Sequence, residues 1–210
     1  MKRQPIKKSA PTEIGTLGAG ALAQAFAKRA LKAGYKVKLS NKKGPRSLQE
    51  IVRSLGAGAK AATVAEAAAC EMVLVAVPWD NVPETLASIS KWNNRILIDG
   101  TNPFHGSVGH FKLADVGNLS TSQVVAALAP GARVVKAFNT MFASNLEVEP
   151  VVDGARRVAF LSADGASAKK QVTRLLQRLG YAVIDLGNLR DGGLMQQAGG
   201  PIAGRNLFER

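Results

Sequence analysis

Short apolar runs and longer amphipathic stretches alternate along this chain from residue 14 to residue 185. Apolar and β-branched runs bounded by Gly, Pro, Ser or Asn read as buried strands. Stretches with apolar residues three and four apart read as helices. Strands are predicted at Ile14–Leu17, Lys36–Ser40, Ala59–Ala62, Met72–Val77, Arg95–Asp99, Arg133–Phe138, Val158–Ser162 and Ala182–Asp185. Between them the spacing predicts helices at Ala21–Ala33, Ser47–Leu55, Val64–Ala69, Val82–Ser88, Thr121–Ala129 and Ser167–Leu179. Gly34 and Gly180 stand just past the first and last of these, where helices commonly stop. Regular alternation of strand and helix is the signature of βαβ units. The expected fold class is therefore α/β: a doubly wound, mostly parallel sheet of about eight strands in a single domain.

Two segments break the alternation. Residues 100–120 form a long, polar, glycine-bearing loop, and such loops in compact domains are more often functional than idle. The end of the chain, Leu189–Arg210, carries Asp191-Gly192-Gly193 and Gly199-Gly200-Pro201. It reads equally as a flexible cover for a pocket or as a mobile terminus.

The first strand runs into Gly18-Ala19-Gly20-Ala21-Leu22-Ala23, which is G-x-G-x-x-A at a strand-to-helix turn. This is the dinucleotide-binding fingerprint of a Rossmann-type fold. Gly18 suits a tight turn, Gly20 lets the backbone approach a diphosphate, and small Ala23 lets helix and strand pack closely. The helix start offers unpaired N–H groups and its positive dipole end to the phosphates.

The end of the second strand then selects the nucleotide. An NAD site carries an acidic residue about 20 residues after the glycines, to bind the ribose hydroxyls. Here the chain reads Ser40-Asn41-Lys42-Lys43-Gly44-Pro45-Arg46, with no carboxylate before Glu50. Hydroxyl, amide and cationic groups suit a 2′-phosphate, so NADP(H) is the expected cofactor, with Ser40, Asn41, Lys42, Lys43 and Arg46 as its ligands. Ala76, Val77, Pro78, Trp79 and Asn102, at the ends of the fourth and fifth strands, should flank the rest of the cofactor, because ligands of open α/β sheets lie outside the strands' carboxyl ends.

Composition changes this picture little. The 210-residue chain has 46% hydrophobic residues and a formal net charge of +13. Part of that excess lies in the opening Lys2, Arg3, Lys7 and Lys8, and part in the Lys42–Arg46 turn. Residues 1–11 read as a disordered basic tail, 12–210 as the nucleotide-binding domain, with an extension from about residue 189. Zinc-ligand spacing, a helix-turn-helix pattern and interleaved aromatic and basic residues are all missing, which argues against a nucleic-acid partner. No run approaches the roughly 20 apolar residues of a membrane span. A single cysteine, Cys70, fits a reducing compartment, and a cytoplasmic location is expected. His105 and His110 share one loop at a spacing that matches no usual metal motif, so no metal is expected.

Taken together, Gly18–Ala23, Leu39-Ser40-Asn41, Val75–Trp79, Ile98–Pro103 and Val135-Lys136-Ala137-Phe138-Asn139-Thr140 give the chain a clear likeness. It resembles the coenzyme F420-dependent NADP oxidoreductase family, which includes related bacterial NADPH reductases and the cytosolic domain of the STEAP metalloreductases. The resemblance implies that Ala19, Gly20, Ala21 and Leu22 touch the diphosphate, Ser40 and Asn41 the 2′-phosphate, and Ala137 with Phe138 the nicotinamide end. It also implies hydride exchange with a flavin or deazaflavin (F420) as second substrate. Thr16, in place of an apolar residue, and Gly100, where alanine is frequent, depart from the family pattern. No catalytic side chain is singled out, since hydride transfer between rings needs juxtaposition and water exclusion more than a dedicated base. The expected partner is a small-molecule hydride acceptor. Homodimer formation and an NADP(H)-sensing role without turnover stand as alternatives.

Overall fold

The computed structural model describes residues 13–106 and 110–210; the basic tail expected at residues 1–11 lies outside them. The first half of the chain runs β1 (Glu13–Leu17), α1 (Ala21–Lys32), β2 (Lys36–Ser40), α2 (Gln49–Leu55), β3 (Ala59–Ala61), α3 (Val64–Ala68), β4 (Met72–Val75), α4 (Val82–Ala87) and β5 (Ile96–Asp99). A short hairpin follows, β6 (Phe104–His105) with β7 (Lys112–Leu113). The second half runs α5 (Thr121–Leu128), β8 (Arg133–Ala137), α6 (Ala143–Glu147), β9 (Val151–Val152), β10 (Ala155–Ser162), α7 (Ala166–Arg178), β11 (Ala182–Asp185), α8 (Asp191–Gln196) and β12 (Phe208–Glu209).

The main sheet has the order β11-β10-β8-β5-β4-β1-β2-β3, with β9 and β12 added antiparallel on β10. From β3 to β8 all pairs are parallel. The expected α/β class, with about eight strands in a mostly parallel sheet, is what the chain adopts. Every residue of β4 and β5 is buried, as strands covered on both faces must be. One face is covered by α1, α2, α6 and α7 around Ile14, Phe26, Leu39, Leu74, Ile98 and Leu175. The other is covered by α3, α4 and α5 around Val73, Val75, Leu86, Trp92, Leu97 and Val125.

Two strands differ from the parallel pattern. β10 meets β8 antiparallel, with Leu161 opposite Ala137, and β11 lies parallel to β10. A parallel return would need a crossover of a dozen or more residues, usually helical. The segment between β8 and β10 is long enough for such a crossover, but it carries the five-residue α6, docked on α1, and β9, which pairs antiparallel with the start of β10. The glycine-rich end is also more ordered than its composition suggests. Gly192 and Gly193 are buried in α8, where an added Cβ would lie 2.7 Å from Ser162 Cβ and 2.7 Å from Ser120 Oγ respectively. These glycines serve close packing, and α8 neither covers the pocket nor hangs free. Leu189, the first residue of that end, is likewise buried in the second core.

Candidate functional site

β1 and β4 are neighbours at the point where strand order reverses, and the chain leaves them for helices on opposite faces. The carboxyl ends of these two strands open the crevice where ligands of such sheets lie. Thr16, a buried polar residue in β1, has its hydroxyl donating to the Gly18 carbonyl at 2.9 Å. The Gly18 N–H donates to the Ser40 carbonyl at 3.0 Å, and the Ser40 hydroxyl donates to the Thr16 carbonyl at 2.7 Å. This closed set of bonds fixes the turn. Gly18 has φ +107°, and a Cβ there would fall 2.2 Å from the Ala76 carbonyl oxygen, so glycine is obligatory.

Gly20 is different. It is extended (φ −74°, ψ −174°), begins α1 without a side-chain cap, and a Cβ there would meet nothing within 4 Å. The first-turn N–H groups of the 12-residue α1 thus face open space at the positive end of the helix dipole. That arrangement fits a diphosphate.

A trench of two connected halves runs along this edge, with Gly20, Ala76, Val77 and Pro78 lining both. One half, about 400 Å³, lies between Leu17, Gly18, Ala19, Asn41 and Lys42 on one side and Val64, Asn81, Glu84, Thr85 and Ser88 on the other. The second half, about 500 Å³, is lined by Ala21, Leu22, Trp79, Gly100, Thr101, Asn102, Phe104, Gly106 and Phe111. Asn41 organises the basic turn: its Oδ1 accepts from Lys43 N–H at 3.0 Å and from the Ser47 hydroxyl at 3.2 Å. This turn leaves the side chains of Lys42, Lys43 and Arg46 exposed, though only Lys42 lines the trench.

Three sequence-expected ligands are not where the resemblance implied. Ser40 is fully buried and its hydroxyl is spent on Thr16, so it supports the glycine turn and does not face a phosphate. Ala137 and Phe138 are also fully buried. At Phe138 a φ of +69° turns the backbone so that its ring returns to the core, edge-on to Phe26 at 5.2 Å. The aromatic surfaces of the second half come instead from Trp79 and from Phe104 in β6 and Phe111 beside β7, whose rings lie 5.3 Å apart. The two phenylalanines of the 100–120 segment were a readable signal for that wall. The contributions of Val64, Asn81, Glu84, Thr85 and Ser88 had none, since they sit on, or at the ends of, ordinary short helices. His105 is exposed and its Nδ1 pairs with Asp80, tying the hairpin to the turn after β4.

Beneath the second half lies a buried ion pair, Asp99–Lys136, at 3.1 Å with both side chains 0% exposed. Lys136 Nζ also donates to the Thr101 carbonyl (3.2 Å) and Thr121 Oγ1 (3.1 Å), so its three donors are all used. Burial pushes the Asp99 carboxyl up. The Lys136 ammonium and hydrogen bonds from Ser122 and Thr101 outweigh that and hold it below the usual carboxylate range. On the other side Asn139 Nδ2 donates to Asn102 Oδ1 (3.1 Å) and to the Gln196 carbonyl (2.6 Å), linking the β5 turn to α8. The end of β5 is therefore braced from two directions.

Comparison with known proteins supports a family assignment. Residues 13–103, from β1 to the end of the Thr101–Pro103 turn, match the family described as NADP oxidoreductase, coenzyme F420-dependent. A protein of Sinorhizobium meliloti, SMa0349, described as hypothetical, has the same fold at 36% identity, with 95% of this chain and 96% of that one covered and a TM-score of 0.88. A putative F420-dependent NADP-reductase from an Arthrobacter species is similar at 27% identity, covering 87% of this chain and 89% of that one, with a TM-score of 0.73. The likeness to the F420-dependent NADP oxidoreductase family is carried by the first half of the chain. The rat metalloreductase STEAP3 is 29% identical over 185 residues, covering 88% of this chain; the chain spans 35% of that relative's length. The matched segment holds the glycine loop, the basic turn and the β5 turn. The residues after it supply Phe104, Phe111 and the Lys136–Asn139–α8 brace.

Proposed function

We propose that this chain is an NADPH-dependent oxidoreductase that exchanges a hydride between the nicotinamide of NADP(H) and a flavin, deazaflavin or similar flat-ring acceptor. The observation that carries the reading is the continuous trench. An uncapped helix start lies at its centre, a basic turn free of carboxylates at one end, and an aromatic-walled space at the other. The first-turn amides of α1 would hold the diphosphate, and Asn41, Lys42, Lys43 and Arg46 a 2′-phosphate. Bound nicotinamide would supply the hydride. Trp79, Phe104, Phe111, Leu22 and Pro78 would exclude water and offer flat surfaces to two stacked rings.

A ring acceptor is favoured over an imine or carbonyl by the chemistry of this lining. Among the described residues, no Asp, Glu, His, Lys, Cys or Tyr lines the second half of the trench. Carbonyl or imine reduction is aided by a positioned proton donor, whereas a flavin-type ring can be protonated by water after the hydride arrives. Turnover is preferred to sensing alone because the second half is a separate, aromatic-walled space beyond the phosphate loop.

Calorimetric titration should show NADPH binding at least about tenfold tighter than NADH, a difference of only about 1.4 kcal/mol. That preference should shrink as salt is raised. Trp79→Ala should leave NADPH affinity within about threefold while lowering flavin-dependent NADPH oxidation at least roughly tenfold. Equal affinity for the two nucleotides overturns the cofactor assignment. Confirmed NADPH binding with no oxidation by any flavin, deazaflavin, ferric chelate, imine or carbonyl overturns the reductase assignment.

A further inference from the structure

Thr101 and Asn102 stand side by side in the wall of the second half, and nothing above gives Thr101 a ligand. Thr101 is 2% exposed and its donors are spent inside the protein. Its N–H and its hydroxyl both donate to Asp99 Oδ1, at 2.9 and 2.7 Å, and its carbonyl accepts from Lys136. Because the one hydroxyl hydrogen is held by a buried carboxylate, what the side chain has left is an oxygen lone pair. Turning the hydroxyl round would strip a hydrogen bond from an ionised group with no access to water, which is costly.

Asn102 has the opposite polarity. Its Oδ1 already accepts from Asn139 Nδ2 at 3.1 Å and from Ala198 N–H at 3.2 Å. One Nδ2 hydrogen goes to the Asn139 carbonyl at 2.8 Å, which leaves one N–H. Flipping the amide would set oxygen against the Asn139 carbonyl and nitrogen against two donors. Two adjacent residues therefore offer one acceptor and one donor, and the protein locks both polarities from behind.

We propose that Thr101 and Asn102 recognise the primary carboxamide of the nicotinamide ring, Thr101 Oγ1 accepting from its NH2 and Asn102 Nδ2 donating to its carbonyl. This rests on the NADP(H) reading given above. A primary carboxamide carries a donor and an acceptor on one carbon, the complement of this pair. Asp99 and Lys136 on one side, and Asn139 with the segment after α8 on the other, then act as positioning residues that fix the polarity of the two contacts.

The test compares binding of NADP+ with that of its 3-acetylpyridine analogue, in which a methyl group replaces the carboxamide NH2, by calorimetry on wild type, Thr101→Val and Thr101→Ser. Adenosine 2′,5′-bisphosphate, which has no nicotinamide, serves as the control ligand. Wild type should bind NADP+ at least about tenfold tighter than the analogue. Thr101→Val should lose about tenfold for NADP+ and stay within about twofold for the analogue, which abolishes the discrimination. Thr101→Ser, which keeps the hydroxyl, should retain it. The bisphosphate should bind all three alike. If it fails to bind wild type, the cofactor reading itself falls and the carboxamide contact with it. If it binds, and wild type treats NADP+ and the analogue alike, only the carboxamide assignment is overturned. That wild-type comparison decides the matter even where Thr101→Val does not fold.

Discussion

Gly20→Val separates the binding role of the glycine loop from its folding role. Gly20 is extended, a conformation valine favours, and its added Cβ meets no heavy atom within 4 Å. The cost to folding is then limited to a poorer helix N-cap, about 1 kcal/mol at most, or a fall in Tm of roughly 2–4 °C for a domain of this size. The cost to binding is larger, because Gly20 lines both halves of the trench at the start of α1. A branched side chain there keeps an anion from the first-turn amides. Losing one charge-assisted hydrogen bond, about 1.5–3 kcal/mol, weakens binding roughly 10- to 150-fold. Gly18→Ala is the contrasting variant: its φ of +107° and the Ala76 carbonyl 2.2 Å from the new Cβ place the damage in the fold itself. The pair is read by thermal melting and by calorimetry with NADPH. A folded Gly20→Val protein that binds NADPH within threefold of wild type would refute the placement of the diphosphate on α1.

Two further expectations concern the brace under the site. Lys136→Met leaves the buried Asp99 carboxylate without its counter-ion and should destabilise the fold by about 3–5 kcal/mol in denaturant titration, whereas Asp99→Leu with Lys136→Met should recover much of that loss. Asp99 is held low in the fold and returns to about 3.9 when unfolded, so its contribution to stability is complete above that pH and fades as the pH falls toward its folded value. Wild type should therefore lose Tm on acidification below about pH 4 more steeply than Asp99→Asn does, and parallel curves would contradict the assignment. Gly193→Ala puts a Cβ 2.7 Å from Ser120 Oγ, which caps α5 and donates to the Leu189 carbonyl, and should cost about 1–3 kcal/mol; an unchanged melting curve would show that α8 does not pack as described.

What the sequence by itself determined was local. The eight main strands and six of the helices follow from apolar periodicity and from glycine stops, because burial on a sheet face or a helix stripe imposes a repeat of two or 3.6 residues on neighbours in the chain. The glycine loop and the carboxylate-free turn were legible for the same reason: their chemistry comes from residues adjacent in sequence. Tertiary structure alone decided what depends on partners far apart in the chain. The direction of β10 is legible only in its pairing with β8, and the burial of Ser40 follows from a carbonyl 24 residues away. Phe138 turns inward because Phe26 receives its ring, and Gly192 and Gly193 are packing surfaces because Ser162 and Ser120 lie against them. A residue type fixes which hydrogen bonds and contacts are possible, and only the packed neighbours decide which are used. For that reason Thr101, an ordinary hydroxyl in the sequence, has a defined polarity only once Asp99 and Lys136 are in place behind it.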